Sequence, residues 1–134
     1  MSLDVYFSFN GKCRKAMEFY ANVFGVKMPE QIMTYGQNPE GSSEQDKDRI
    51  LYACMPMFGM NVMFCDCPTG SGYTIGNNIM LTIGISNAEE IKRIFKDLSE
   101  GGEVYMPLDK TFFSELFGMV CDQFGVIWQL SKVG

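Results

Sequence analysis

Leu3-Asp4-Val5-Tyr6-Phe7-Ser8-Phe9 and, further along, Asn78-Ile79-Met80-Leu81-Thr82-Ile83-Gly84-Ile85 are the stretches that decide the fold. In each, strongly apolar side chains alternate with a mixed set, the period-two signature of a strand with one face in a core. Leu3, Val5, Phe7 and Phe9 form the first apolar face; Ile79, Leu81, Ile83 and Ile85 form the second. A helical spacing follows each strand. Over about residues 11–24, Ala16, Phe19, Tyr20 and Val23 share one side, and Gly25 is placed to end the helix in a left-handed turn. Over about 87–99, Ile91, Ile94, Phe95 and Leu98 do the same ahead of Gly101-Gly102, and Ser86 with Glu89 reads as a capping box. The two helical faces superpose under one shift of 75 positions, from 16 to 91 and from 23 to 98.

Three more strands are expected after each helix: about 27–35, 49–56 and 60–65, then about 103–107, 114–121 and 126–131. The closing hairpins echo each other, with Phe58-Gly59 ahead of Met60 and Phe124-Gly125 ahead of Val126. Each half therefore reads β-α-β-β-β, an internal duplication. The expected architecture is α+β, one domain over 1–134 with internal modules at about 1–66 and 77–134. Two such βαβββ modules form a curved mixed sheet around a cup-shaped cavity. Apolar faces pack on the helices, burying Phe7, Phe19, Leu81, Ile94 and Phe95, and the mixed faces line the cup. Residues 36–48 have no apolar side chain other than Pro39. They read as a mobile, solvated loop, with a lid over the cavity as the functional option.

Composition narrows the chemistry. The chain has 134 residues, 46% of them hydrophobic and 20% charged, which suits a globular domain with a real core. It contains no His, so no Ser-His-Asp or Cys-His pair and no imidazole base or ligand can exist. A net charge of −5 argues against nucleic acid, which needs clustered cations. Residues 67–88 carry no charge, but Pro68, Gly70, Gly72, Gly76 and Gly84 break them up, so no membrane span is expected. The five cysteines are odd in number and irregular in spacing, and no signal-like segment precedes them. They read as reduced thiols of a cytoplasmic protein. Cys65-Asp66-Cys67 lacks the spacer and the second ligand pair of a zinc site. Cys13, beside Lys12, Arg14 and Lys15 at a helix start, is the one thiol placed for thiolate bias.

Several motifs then fall in order. Phe9-Asn10-Gly11-Lys12-Cys13, Ala16-Met17-Glu18-Phe19-Tyr20 and Phe24-Gly25 open the chain. Leu98-Ser99-Glu100-Gly101-Gly102, Met106-Pro107-Leu108, Thr111-Phe112-Phe113 and Phe117-Gly118 come later, with Asp122, Phe124-Gly125 and Trp128 closing the set. Their order over nearly the whole chain resembles the vicinal oxygen chelate superfamily, which includes glyoxalase I, the extradiol dioxygenases, and the bleomycin and fosfomycin resistance proteins. The narrower likeness is to its PhnB-like branch, loosely labelled demethylubiquinone methyltransferase-like. Phe113-Ser114 departs from that branch, which usually has Trp-Gly there. The resemblance implies the glyoxalase/bleomycin-resistance-like fold and a homodimer. In the superfamily's enzymes it implies a divalent metal held by His and Glu on four strands. Those slots fall here at or beside Asp4, and at Met63, Met80 and Gln129. Thioethers and an amide are poor ligands for such an ion, so no metal and no cofactor is expected.

The functional expectation is a metal-free small-molecule-binding protein, ligand unknown, with Tyr6, Ser8, Met63, Met80, Thr82 and Gln129 lining the cup. That set is mostly apolar with a few hydrogen-bonding tips, as ligand sites are. Met63 and Met80 suit core filling as well as pocket lining. The alternative is a lyase, dioxygenase or transferase with a non-standard site, using Asp4, Tyr6 or Asp122 as acid or base. Asp122, ahead of a Phe-Gly turn, reads more simply as a turn cap. No glycine-rich cofactor loop follows a strand, so a methyltransferase has no support in the motifs. A structural or regulatory dimer without ligand is the third reading. The partners expected are a small molecule and a second copy of the chain, with neither nucleic acid nor membrane.

Overall fold

The computed structural model describes residues 1–134 and divides into two compact units, Met1–Thr74 and Ile75–Gly134. The first contains β1 (Val5–Phe9), α1 (Cys13–Phe24), β2 (Ile32–Thr34), β3 (Ile50–Met57) and β4 (Met60–Asp66). The second contains β5 (Leu81–Ile85), α2 (Ala88–Ser99), β6 (Glu103–Asp109), β7 (Phe117–Cys121) and β8 (Ile127–Lys132). The sheet orders are β1-β4-β3-β2 and β5-β8-β7-β6, the same topology twice. In each sheet the first and last strands of the module run parallel and the other pairs antiparallel. The internal duplication and the βαβββ order are therefore present, and the fold is the α+β, glyoxalase/bleomycin-resistance-like one. The expected module limits fall inside the two units.

Each module packs one sheet face under its helix. In the first, Ala16, Met17, Tyr20 and Val23 of α1 are buried with Ala53, Met55, Val62 and Phe64. Phe7 lies 5.5 Å from Phe64 and 6.0 Å from Tyr20, ring centre to ring centre. In the second, Ile91, Ile94, Phe95 and Leu98 of α2 are buried with Ile83, Val120, Trp128 and Leu130. Phe7, Phe19 and Leu81 are half-buried rather than buried. Phe7 and Leu81 sit on β1 and β5, which are edge strands, so neighbours cover them on one side only. Leu3 and Ile79 belong to the alternation but precede the strands, and both are exposed.

The local signals mostly act as their chemistry requires. Gly25 takes φ 65° and its N–H reaches the Ala21 carbonyl, closing α1. The cap of α2 is Asn87, one residue after the expected Ser86; its side-chain oxygen accepts from the Glu90 N–H at 3.0 Å. The echoed hairpins differ in shape. Phe58 and Gly59 both have positive φ, a tight two-residue turn between Met57 and Met60. The later turn is wider, since Cys121 pairs with Ile127, and only Gly125 has positive φ there.

Residues 36–48 are more tied down than the expected mobile loop. Short 3-10 turns occupy Tyr35–Gln37 and Glu44–Asp46. The Gly36 N–H donates to the Lys47 carbonyl at 2.9 Å. Asp46 is buried and accepts from the Thr69 hydroxyl at 2.5 Å and the Thr69 N–H at 3.2 Å. The hydroxyl bond from Thr69 leads the interactions that hold the Asp46 carboxyl below its ordinary range, with Arg49 adding its charge.

Candidate functional site

Opposite the helix, each sheet presents an open face, and strand parity decides what stands on it. In the first module Tyr6, Met63 and Cys54 are register partners across β1, β4 and β3, and Ser8 pairs with Cys65. The Tyr6 and Tyr52 rings meet edge to face at 6.3 Å. The Tyr6 and Ser8 hydroxyls stand near the Cys65 thiol, and Ser8 is its register partner. Burial pushes the Cys65 thiol up, and the two hydroxyls only partly offset it. Burial likewise raises the Tyr6 phenol, so it stays a proton donor. Against this face lies a hollow of about 1160 Å³ lined by Met33, Tyr52, Cys54 and Pro56, together with Lys27 and Glu30.

In the second module Thr82, Gln129, Met119 and Met106 form one row across all four strands, β5, β8, β7 and β6. The Thr82 hydroxyl donates to Gln129 Oε1 at 2.8 Å, and Gln129 Nε2 points at Met80 Sδ at 3.5 Å. Met80 precedes β5 and is exposed. The nearby Cys121 thiol is the main reason the Tyr105 phenol is raised. Phe113 covers Phe117 on this face, with ring centres 5.0 Å apart.

The expected site residues thus divide by unit. Tyr6, Ser8 and Met63 are brought together on the first open face; Thr82, Gln129 and Met80 are brought together at the second. Met63 and Gln129 occupy equivalent positions, each paired with the residue one past the start of its module's first strand. Cys65, Tyr52 and Met119 are neighbours that the sequence reading missed. Counting two residues on from Met63 would have found Cys65. Met119 needed the pairing of β7.

A divalent ion does not suit these residues. Asp4 lies ahead of β1, exposed, and accepts from the Ser2 hydroxyl at 3.0 Å. Met63 and Met80 offer thioethers, and the Gln129 oxygen is engaged by Thr82. Nowhere do three Cys, Asp or Glu side chains group as metal ligands would. Asp66 stands on the helix side of β4, buried, and accepts from the N–H groups of Gly11, Cys13 and Ile50 at 2.8, 3.0 and 2.9 Å. It is a structural anchor between its two cysteines. Asp122 is buried too, accepting from the N–H groups of Phe124 and Val126 and from Trp128 Nε1, so it acts as the turn cap rather than an acid or base. Cys13 has no thiolate bias. It is fully buried in the helix-facing core, and that burial, with the nearby Asp66 charge, pushes its thiol far up. Ser114, the departure from the branch pattern, is buried with its hydroxyl donating to the Leu116 carbonyl at 3.0 Å.

This pair of βαβββ modules, with one open face each, defines the glyoxalase/bleomycin-resistance-like fold. Residues 2–131 match the family model described as 3-demethylubiquinone-9 3-methyltransferase, and the chain belongs to that PhnB-like family. It is 32% identical to protein PA1353 from Pseudomonas aeruginosa, with a TM-score of 0.87 and 98% of each chain covered. It is 28% identical to a Bacillus cereus PhnB protein titled a putative 3-demethylubiquinone-9 3-methyltransferase, with a TM-score of 0.84, covering 99% of this chain and 100% of that one. Protein YjdN of Escherichia coli (strain K12) is 29% identical over 99% of this chain and 96% of its own. At 10% and 18% identity, a fosfomycin resistance protein and a glyoxalase-related enzyme share the fold and nothing finer.

Proposed function

We propose that the chain is a small-molecule-binding protein that works without a metal ion and receives its ligand on its open sheet faces. The observation that carries this reading is the character of those faces. Tyr6, Ser8, Thr82 and Gln129 set hydrogen-bonding tips among Met63, Met80 and Tyr52, the mixture that ligand sites use. The large hollow beside Tyr52 and Cys54 supplies volume on the first module.

The family's description speaks of methyl transfer, and the local geometry lends that reading no support. A nucleotide-type cofactor is held by free N–H groups at a glycine-rich strand-to-helix turn. Here the turn from β1 to α1 has the single Gly11, and the N–H groups of Gly11 and Cys13 are already taken by Asp66. Non-standard catalysis has one observation in its favour, the Tyr6-Ser8-Cys65 cluster, but the raised thiol and phenol suit hydrogen bonding better than nucleophilic attack.

The deciding experiment is native mass spectrometry of protein purified gently from its own host, with elemental analysis alongside. A retained organic mass without stoichiometric transition metal is expected. One tightly bound metal per chain, lost in an Asp4 or Gln129 variant, would overturn the proposal. We also propose a symmetric homodimer, the commonest closed assembly; a monomer mass by sedimentation at micromolar concentration would refute it. No helix is long and apolar enough to cross a membrane. A cytoplasmic site is our reading of the odd cysteine number.

A further inference from the structure

The open face of the second module carries no cationic side chain. Its row of Thr82, Gln129, Met119 and Met106 contains no ionisable group, and Met80, Ser131 and Phe117 beside it add none. The charges that pair onto this face at its β6 edge are Glu103 and Asp109, both acidic. Lys132 has the other parity on β8, paired with Ile85 on the helix side, and its ammonium meets Glu115. Lys110 lies past the end of β6. An anionic ligand placed here would lose water without gaining a cation, which is costly.

What the face does offer is a donor. Gln129 Oε1 accepts from Thr82 while Nε2 donates toward the Met80 sulfur, and that sulfur, which can only accept, orients the amide. Turning the amide over would set its oxygen against that sulfur, two acceptors facing each other. A thioether is a weak acceptor, so the N–H groups of Nε2 remain available for a better one. Aromatic surface is close by. Phe117 pairs with Ser131, two residues along β8 from Gln129, a step of roughly 7 Å. Phe113 stacks edge-on against Phe117, is 59% exposed, and meets the fully exposed Phe112 edge to face at 5.1 Å.

We propose that this face binds an uncharged aromatic ligand bearing a carbonyl, with the carbonyl oxygen accepting from Gln129 Nε2 and the ring lying toward Phe113. This rests on the small-molecule reading above and gives that reading a ligand class.

The test uses two probes with one ring system, 2-acetylnaphthalene and 2-naphthoate, titrated calorimetrically into the full chain. The ketone should bind at least ten-fold more tightly than the carboxylate. Gln129→Leu should weaken the ketone by about ten-fold, the worth of one neutral hydrogen bond at the upper end. Phe113→Ala should weaken it several-fold. Gln129→Lys should reverse the preference by supplying the missing cation. Naphthoate binding equal to or tighter than the ketone in the unsubstituted chain overturns the inference, as does a ketone affinity indifferent to Gln129→Leu. A chain that binds neither probe overturns it too. If native mass spectrometry then finds an acidic ligand retained from the host, small-molecule binding stands and only this assignment falls. If it finds no ligand, both fall.

Discussion

Replacing Asp122 by Asn changes one atom of a buried carboxylate, and the structure says what that atom does. Oδ1 accepts from the N–H groups of Phe124 and Val126 at 2.8 and 3.1 Å, and Oδ2 accepts from Trp128 Nε1 at 2.8 Å. All the donors around the group need an acceptor. In Asp122→Asn one oxygen can still serve the two backbone N–H groups, but the new NH2 then faces the indole N–H, donor against donor. Flipping the amide only moves the conflict to the backbone. A hydrogen bond to a charged group is worth about 1.5–3 kcal/mol, and those that survive weaken as the charge goes. The expected loss is therefore about 2–4 kcal/mol, which is on the order of 10 °C in Tm for a chain of this size. Trp128 is the single tryptophan and is buried, so urea unfolding followed by its fluorescence reads the site directly. Circular dichroism on Trp128→Phe and on the double variant completes a thermodynamic cycle. The coupling between positions 122 and 128 should exceed about 1 kcal/mol. A loss below about 1 kcal/mol, or additive single variants, would refute the role given to Asp122.

Other expectations follow from the core. Ile94→Ala, at a buried position of α2, should cost about 2–5 kcal/mol in urea unfolding, and a cost under 1 would mean the site is not packed as described. Gly102→Ala would drive its Cβ into the Cys121 carbonyl oxygen, so a loss of about 3 kcal/mol or more in thermal unfolding, or failure to fold, is expected. Cys13 keeps its proton in the native state, where its pKa is raised, while the unfolded thiol releases it near 9.0. Stability from this group is therefore full below about pH 9 and declines as pH rises beyond it, the sign required when the unfolded state binds fewer protons. Native alkylation with iodoacetamide at pH 8, mapped by mass spectrometry, should leave Cys13 unmodified; rapid labelling there would contradict its burial.

Strand and helix type, the duplication and the helix-facing core were legible in the sequence because they depend on short periods. Alternation at two residues and spacing at three and four are local, and Ile91, Ile94, Phe95 and Leu98 needed nothing else. Element ends were less legible. The alternation ran through Leu3 and Ile79, yet ladder pairing begins only at Val5 and Leu81, where a partner strand exists to receive hydrogen bonds. Asp122 was legible as a turn cap from the Phe-Gly pair behind it, but tertiary structure alone decided the roles of the other polar residues. Asp66 lies between two cysteines in sequence, and only the fold brings the N–H groups of Gly11 and Ile50 to its carboxylate. Cys13 has cations on both sides in sequence, and only packing beneath the sheet shows that its thiol never meets water. Gln129 was recognisable as a candidate from its strand register. Which way its amide points depends on Thr82 and the Met80 sulfur, 47 and 49 residues away, because a side-chain amide takes its orientation from its partners and pairing across a sheet has no fixed separation along the chain.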